Sequence, residues 1–178
     1  MINASSRLLF AGFVFPVVVA LSMSGKSKPK ETVIDERAFR FTLPGQWSRE
    51  PSSDPTHWSY QNDHGEYLTV SLLGFSSGMG AEERSKVFNR LVEMRKHAET
   101  ALLGLTAVTT TQTTFGESGG ILAARYSGIQ SAVHRRFTCL MLGSSSAFTV
   151  FYYEAVGLTK TQSEERAKTI MNSIIVPH

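Results

Sequence analysis

Cysteine is almost absent from this chain. Cys139 is the single cysteine among 178 residues, so no disulfide can form within the chain and packing alone must stabilise it. The residues that follow it, Leu140, Met141 and Leu142, are apolar. No base is predicted beside the thiol, and a catalytic cysteine needs one. We therefore expect Cys139 to be buried and unreactive.

A strong excess of charge of one sign is also missing. The formal net charge is +3, and acidic and basic residues are interspersed along the chain. This balance argues against nucleic acid as a partner, because nucleic-acid-binding domains concentrate lysine and arginine on one face. One small basic cluster, Lys26, Lys28 and Lys30, follows the apolar N-terminal run. It is interpreted either as a solvated tether or as a segment that contacts anionic lipid headgroups.

Long hydrophobic runs are limited to residues 8–21, and this run is shorter than the roughly 20 residues that a membrane-spanning helix needs. Arg7 precedes it, Pro16 interrupts it, and small residues follow, which is the pattern of a secretory signal. We predict a signal peptide at 1–24, cleaved after Ser22 or Ser24, a linker at 25–32 and one globular domain at 33–178. The expected location is periplasmic or secreted. An uncleaved leader would instead anchor the protein in the inner membrane, and only then would the membrane be a partner.

The remaining pattern predicts an α+β fold. Short connections between strand-like runs favour antiparallel pairing, and the run at 147–156 is apolar on both faces, which indicates a central strand covered on both sides. We therefore expect an antiparallel sheet of about six to seven strands, with a long helix and a C-terminal helix packed on it. The predicted strands are 37–43, 57–61, 66–73, 105–114, 121–128, 132–142 and 147–156, and the predicted helices are 81–103 and 162–173.

Apolar spacing gives each predicted helix a buried face. We expect Gly104 to cap the first helix, and Thr161 with Glu164 to form a capping box at the start of the second. The expected inward stripe of the first helix is Val87, Phe88, Leu91, Met94, Ala98 and Leu102. That of the second is Ala167, Ile170, Met171 and Ile174.

The segment RFTLPGQW, the long middle helix, the four following strands and the SEERAKTIMNSI helix together resemble the PsbP-like fold family, which includes exported bacterial DcrB-like proteins. In that family an opening strand with the pattern of Phe41, Leu43, Pro44, Gly45 and Trp47 leads into an α/β/α sandwich; here Gln46 separates Gly45 from Trp47. The resemblance covers about residues 33 to 176. It implies a binding, adaptor or accessory protein, and it carries over no catalytic residue.

Two motifs suggest chemistry, and each has a simpler interpretation. Gly116 to Gly120 matches G-x-S-x-G, which would make Ser118 a hydrolase nucleophile, yet a strand and not a helix is predicted to follow. A glycine-rich hairpin turn is the alternative. His57 and His64, with Asp54 and Asp63, would form a metal site if the hairpin brought them together, but these residue types are also common in turns.

Three residues are predicted to bind a partner. Trp58 and Tyr60 share one face of a strand and are residue types that anchor interfaces, although core packing is the more frequent explanation for both. Arg135 is expected beside an apolar row, either snorkelling at the rim or holding an anion. We therefore expect a non-catalytic extracytoplasmic binding or accessory protein with a protein or peptide partner, such as an immunity or adaptor protein of a bacterial secretion system. No catalytic residue, metal or cofactor is expected. The alternatives are a hydrolase that uses Ser118 and a membrane-anchored structural protein.

Overall fold

The computed structural model describes residues 31–36, 39–102 and 108–176. The predicted leader, most of the predicted linker and the predicted cap at Gly104 lie outside these residues. In the described ranges, no helix is both long enough and apolar enough to span a membrane.

Ten strands and two helices make up the described chain. A short 3-10 turn at Ser131–Val133 precedes β9. The helices are α1 (Ala81–Leu102) and α2 (Lys160–Asn172). The strands are β1 (Glu31–Glu36), β2 (Phe39–Pro44), β3 (Ser48–Arg49), β4 (His57–Gln61), β5 (Glu66–Phe75), β6 (Val108–Thr110), β7 (Thr114–Ser118), β8 (Ile121–Gln130), β9 (Arg135–Gly143) and β10 (Ala147–Val156).

Eight of the strands form one antiparallel sheet in the order β3-β4-β5-β10-β9-β8-β6, with β7 also paired to β8. β1 and β2 form a separate antiparallel pair that we call the β1–β2 hairpin. The predicted α+β class and antiparallel sheet are therefore confirmed. The short connections explain the pairing, since antiparallel neighbours need only a few linking residues.

The sheet is covered on both faces, as the apolar pattern of β10 predicted. Phe151 and Tyr153 of β10 lie in a core with the β1–β2 hairpin and α2, which we call the hairpin side. Val150 and Tyr152 lie in a second core with α1, the α1 side. The two coverings are offset: α1 lies mainly over β6, β8 and β9 and reaches β10 through single side chains, whereas α2 lies mainly over β2, β9 and β10.

Several strand bounds differ from the prediction. β1 and β3 were not predicted at all, and because β1 begins at Glu31, the last two residues of the predicted linker are paired strand. The single strand predicted at 105–114 is two strands in the described part, β6 and β7. Between them the Thr111 side chain accepts from the Ser127 N–H at 2.9 Å, which interrupts the ladder. The strand predicted at 132–142 begins only at Arg135, because His134 adopts a left-handed conformation with φ of 50°.

The buried face of α1 is also different from the expected stripe. Phe88 and Val92 are buried, Leu91 is half-buried, and Met94 is 58% exposed, so Met94 was wrongly placed in the stripe. The face that contacts the sheet continues through Arg95 and Glu99. Because these two positions are charged, apolar spacing could not reveal them.

The capping box of α2 lies two residues earlier than predicted. Gln162 N–H donates to the Thr159 hydroxyl at 3.3 Å, and Thr159 N–H donates to the Gln162 side chain at 3.1 Å. The prediction of Thr161 with Glu164 was therefore wrong, and the reason is that glutamine serves as well as glutamate at this position. Ala167, Ile170 and Met171 are buried, as their spacing predicted.

Candidate functional site

The predicted interface aromatics of β4 face the hairpin side. Trp58 is half-buried, with its ring edge-on to Phe39 at 5.1 Å between centroids. Tyr60 is 2% exposed and packs edge-on against Phe41 at 5.8 Å. A partner therefore cannot contact Tyr60 while the β1–β2 hairpin is in place. The binding role predicted for Trp58 stays a prediction.

Arg135 opens β9 and forms an ion pair with Glu154 of β10, with 2.8 Å between Arg135 Nη2 and Glu154 Oε2. Burial raises the pKa of Glu154, and the guanidinium of Arg135 partly offsets that effect. The positive charge of Arg135 is thus already balanced within the protein. Its predicted anion-binding role stays a prediction.

The two histidines of the β4–β5 hairpin are not brought together. His57 opens β4, whereas His64 lies in the turn beyond its far end, so roughly 13 Å of strand separates them. The condition for a metal site at these residues, that the hairpin brings the two histidines together, is therefore not met. Thr56 donates to Asp54 from its N–H and its hydroxyl, which lowers the pKa of Asp54. Within the described ranges no group of three or more potential ligands is arranged to hold a metal.

His57 instead contacts two serine hydroxyls. Its Nδ1 lies 2.9 Å from Ser71 Oγ and its Nε2 lies 3.1 Å from Ser59 Oγ. A serine beside a histidine is the start of a nucleophilic site. However, these side chains stand on the face of two paired strands, where ladder N–H groups lie in the plane of the sheet. Such a face offers no converging N–H pair to stabilise an oxyanion.

Ser118 ends β7 and is followed by a two-residue hairpin turn. Gly119 and Gly120 have φ of 58° and 75°, and Ser118 pairs with Ile121 across the turn. A nucleophile elbow needs a helix after the serine, and here a strand follows. No hydrogen bond in the described chain joins Ser118 to a histidine. The glycine-rich hairpin, the simpler interpretation of this motif, is what the structure contains.

Cys139 is fully buried on the α1 side, which confirms its predicted burial. Burial raises the pKa of its thiol to about 12, so the thiol is protonated at neutral pH. A protonated thiol is a poor nucleophile.

A polar cluster beneath α1 is the feature that sequence reasoning missed. Arg95 Nη2 lies 2.6 Å from Glu99 Oε1, and the Arg95 guanidinium carbon lies 5.4 Å from the centroid of the Tyr152 ring. Lys96 lies 5.9 Å from the centroid of Tyr126. The only available signal was the four-residue spacing of Arg95 and Glu99. Arg95 is paired with Glu99, and both cations face aromatic rings, so the cluster packs α1 against the sheet.

β7 forms an open edge of the sheet, which we call the β7 edge. All five of its residues are exposed, and among the described residues it pairs with β8 alone. Ser118 and Ile121 close the turn, so alternation along the ladder directs the N–H groups of Phe115 and Glu117 away from β8. The Phe115 side chain is 51% exposed.

A cavity of about 310 Å³ lies between α1 and this edge, and we call it the β7 cavity. Arg84 of α1 donates to the Gly120 carbonyl at 3.3 Å, which ties the β7–β8 turn to the helix. The cavity is lined by Ser85, Phe88, Asn89, Phe115, Gly116, Glu117, Leu122 and Ala123. Its walls are therefore part apolar and part polar, and it adjoins unpaired backbone.

Comparison with known proteins addresses the fold. No family model matches the chain, and no curated protein matches it. The solution structure of cyanobacterial PsbP (CyanoP) from Synechocystis sp. PCC 6803 superposes with a TM-score of 0.63, covering 88% of this chain and 98% of that chain at 12% identity. This chain has the PsbP-like fold. A crystal structure from Bacteroides thetaiotaomicron VPI-5482 covers 85% of this chain and 50% of that chain, with 8% identity and a TM-score of 0.49.

At 12% identity the likeness extends to the fold alone and transfers no site residue. The β7 edge with its cavity is an open surface of the described chain.

Proposed function

We propose that this protein is a non-catalytic binding domain that takes an extended segment of a partner protein as an added strand on the β7 edge. The observation that carries the proposal is an exposed edge strand with outward N–H groups directly beside a cavity. Strand addition gains affinity from main-chain hydrogen bonds and specificity from pockets for alternate side chains.

The two ends of the sheet support this choice. Exposed strand edges invite pairing, and proteins protect them by shortening the strand or by placing lysine or proline on it. The edge strand β3 is only two residues long, whereas β7 has five residues and neither lysine nor proline. The β7 edge is therefore the less protected of the two, with Glu117 as its one charged residue.

The β7 cavity defines the chemistry of the bound segment. Phe88, Phe115 and Leu122 provide apolar surface, which favours an apolar side chain in the cavity. Glu117 is the charged residue among those that line it, so an acidic residue at the adjoining position of the segment would be repelled. The partner segment is thus extended, apolar at one position and neutral or basic beside it.

We place this binding outside the cytoplasm, on the basis of the leader pattern at residues 1–24. An immunity or adaptor role in a bacterial secretion system is one form that such binding would take. Mass spectrometry of the protein from its own cells should find an N-terminus near Met23 or Gly25. A species that begins at Met1 in the membrane fraction would contradict the proposal of cleavage.

The binding proposal is tested by substitutions that act on the edge alone. Glu117→Pro removes an outward N–H, and proline is tolerated where an edge N–H faces solvent; Phe115→Ala removes the exposed ring. Both variants should lose at least tenfold in affinity for a partner recovered from the native cells. Val33→Ala is the matched control, since Val33 is 55% exposed on the β1–β2 hairpin.

A photo-crosslinking residue at position 116 should link to one extended segment of that partner. Equal affinity of Glu117→Pro and the unaltered protein, with circular dichroism unchanged, would overturn strand addition. No crosslink from position 116, with crosslinks from probes placed in α2 or in the β1–β2 hairpin, would place the interface elsewhere.

A hydrolase that uses His57 is the second candidate, favoured by the 3.1 Å contact between His57 Nε2 and Ser59 Oγ. We expect that any ester hydrolysis by the purified protein is not abolished by His57→Ala. Turnover lost in both His57→Ala and Ser59→Ala would instead establish catalysis at this face.

A further inference from the structure

A second cavity, of about 250 Å³, lies on the hairpin side of the sheet, between strands β6, β8 and β9 and the first turns of α2. We call it the α2 cavity. It exists because the coverings are offset: α2 packs against β2, β9 and β10 and leaves the neighbouring strands open. Its volume is below the roughly 300–1,000 Å³ of clefts for drug-sized ligands, so its occupant must be smaller.

Ser163 of α2 is the residue that points to a ligand. It lines the α2 cavity and is only 3% exposed. No hydrogen bond of the described residues involves its hydroxyl, although its N–H donates to the Thr159 carbonyl at 3.0 Å. Because this hydroxyl has no protein partner among the described residues and lies beside a cavity, it can donate to a molecule inside it.

The opposite wall also offers donors. The Ser127 and Thr138 hydroxyls lie 3.0 Å apart, and Thr138 is 1% exposed. One hydrogen bond between two hydroxyls uses one of their two protons, so the other remains for an outside acceptor. Arg136 Nε donates to the Leu158 carbonyl at 3.3 Å, and no ion pair in the described part of the chain includes Arg136. Its remaining N–H groups are therefore available to an acceptor.

The charge at the cavity matches a single negative charge. Arg136 and Lys160 are cationic, and Glu164, 3.9 Å from Lys160 Nζ, is the opposing carboxylate. One positive charge is left in excess. The N-terminal end of α2 adds positive potential in the same direction. Ile129 contributes apolar surface, which suits the organic part of a small ligand.

We propose that the α2 cavity binds a small organic monocarboxylate, with Arg136 and Ser163 holding the carboxylate. The carboxylate accepts from the guanidinium and from the hydroxyls, and the organic part lies against Ile129. A free carboxylic acid and the C-terminal carboxylate of a short peptide share this chemistry. The site is on the opposite face from the β7 cavity, so it is independent of the proposed strand addition.

The test is a titration of the isotopically labelled protein with benzoate, followed by amide chemical shifts, with neutral benzamide as the matched ligand. Benzoate should saturate and shift the amides of Ser127, Ile129 and Ser163, and benzamide should bind at least tenfold more weakly. Arg136→Gln and Ser163→Ala should each weaken benzoate binding at least fivefold. Lys168→Gln, an exposed change on α2 outside the cavity, should leave it unchanged.

Two further titrations distinguish a peptide C-terminus from a free carboxylic acid as the ligand. The first ligand is acetyl-Gly-Phe with a free C-terminus. If it binds more tightly than benzoate and loses binding when its C-terminus is amidated, the natural ligand is a peptide terminus. Tighter binding of benzoate would identify a free acid. Equal binding of benzoate and benzamide, unchanged affinity in both cavity variants, or stronger binding of inorganic phosphate would overturn the proposal. Unaltered circular dichroism of each variant confirms that it is folded.

Discussion

The two sides of the sheet are held in different ways. On the hairpin side, Phe39, Phe41 and Phe151 form an aromatic cluster with centroids 5.5 to 5.9 Å apart. On the α1 side, apolar contacts at Phe88 and Val92 give way along the helix to the Arg95–Glu99 pair. A helix can therefore lie on a sheet partly through charged residues, provided that those residues are paired.

The buried charges of the two sides differ in number and partners. The hairpin side holds Glu66, which is 2% exposed, accepts from the Tyr153 hydroxyl at 2.6 Å and forms one ion pair, with Arg166 Nε 3.8 Å from its Oε1. The α1 side holds two ion pairs, Arg95–Glu99 and Arg135–Glu154. Because desolvation offsets much of the attraction in such pairs, we expect them to contribute specificity of packing more than stability.

Both sides of the sheet contain buried tyrosines. Alkaline pH, which ionises tyrosine, is therefore expected to have the largest effect on stability. Burial raises the pKa of Tyr60 to about 12, and burial also raises the pKa values of Tyr126, Tyr152 and Tyr153. An unfolded tyrosine has a pKa of about 10, so unfolding releases phenol protons. The stability that depends on these protonated phenols is fully present below about pH 10. It decreases as the pH rises toward the raised pKa values of the tyrosines in the folded protein.

The measurement is phenolate absorbance and circular dichroism across an alkaline titration. Absorbance from the four buried tyrosines should appear together with the loss of native circular dichroism. Ionisation of these tyrosines in a protein that remains folded would contradict their burial.

Phe151→Ala should lower the free energy of unfolding by removing packing on the hairpin side. It removes a ring that packs on Phe39 and Phe41, and truncation of a buried phenylalanine costs about 3–5 kcal/mol. Denaturant unfolding measures the change. Met94→Ala on the exposed face of α1 is the control, with an expected change below about 0.5 kcal/mol. A similar cost for both would show that the assignment of buried faces is wrong.

Substitutions in the Arg95–Glu99 pair test how charged residues hold the α1 side. Glu99→Ala leaves Arg95 unpaired, and breaking a buried pair costs about 3–5 kcal/mol. Arg95 is about a third exposed, so solvent screening should reduce the loss to about 2–3 kcal/mol. Arg95→Met combined with Glu99→Leu should restore the free energy of unfolding to near the original value. A double variant less stable than Glu99→Ala would show that the pair itself stabilises the fold.

Two tyrosines on the hairpin side provide the smallest and best matched contrast. Tyr153→Phe removes a hydrogen bond to the Glu66 carboxylate and should cost about 1.5 kcal/mol. The Tyr60 hydroxyl is buried without a hydrogen-bond partner among the described residues, so Tyr60→Phe should be neutral or slightly stabilising. Thermal unfolding of the two variants measures the difference. Equal losses would mean that Tyr60 has a partner.

The fold was largely predictable because its signals are local. The two apolar faces of β10, the β4 strand and the inward residues of α2 each follow from alternation or helical spacing, and all agree with the structure. The bounds of β6 and β7 were not predictable, because the break between them depends on a hydrogen bond from Ser127 to Thr111 across the sheet. Long-range contacts of this kind leave no period in the sequence.

The candidate sites were much less predictable. Trp58, Tyr60 and Arg135 were chosen by residue type, and the structure places Tyr60 in the core and pairs Arg135 with Glu154. The β7 edge and the α2 cavity depend on which strands remain uncovered. That depends on the offset of the two helices, which is a property of tertiary packing. Ser127 and Ser163 have no distinctive neighbours in the sequence.

Amide hydrogen exchange tests the central claim that the β7 edge is open and takes a partner strand. In the isolated protein, the amides of Phe115 and Glu117 should exchange rapidly while those of β10 exchange slowly. In the complex with the partner, Phe115 and Glu117 should become protected while the amides of β3 remain unchanged. Slow exchange at Phe115 and Glu117 in the isolated protein, or no added protection in the complex, would contradict the account.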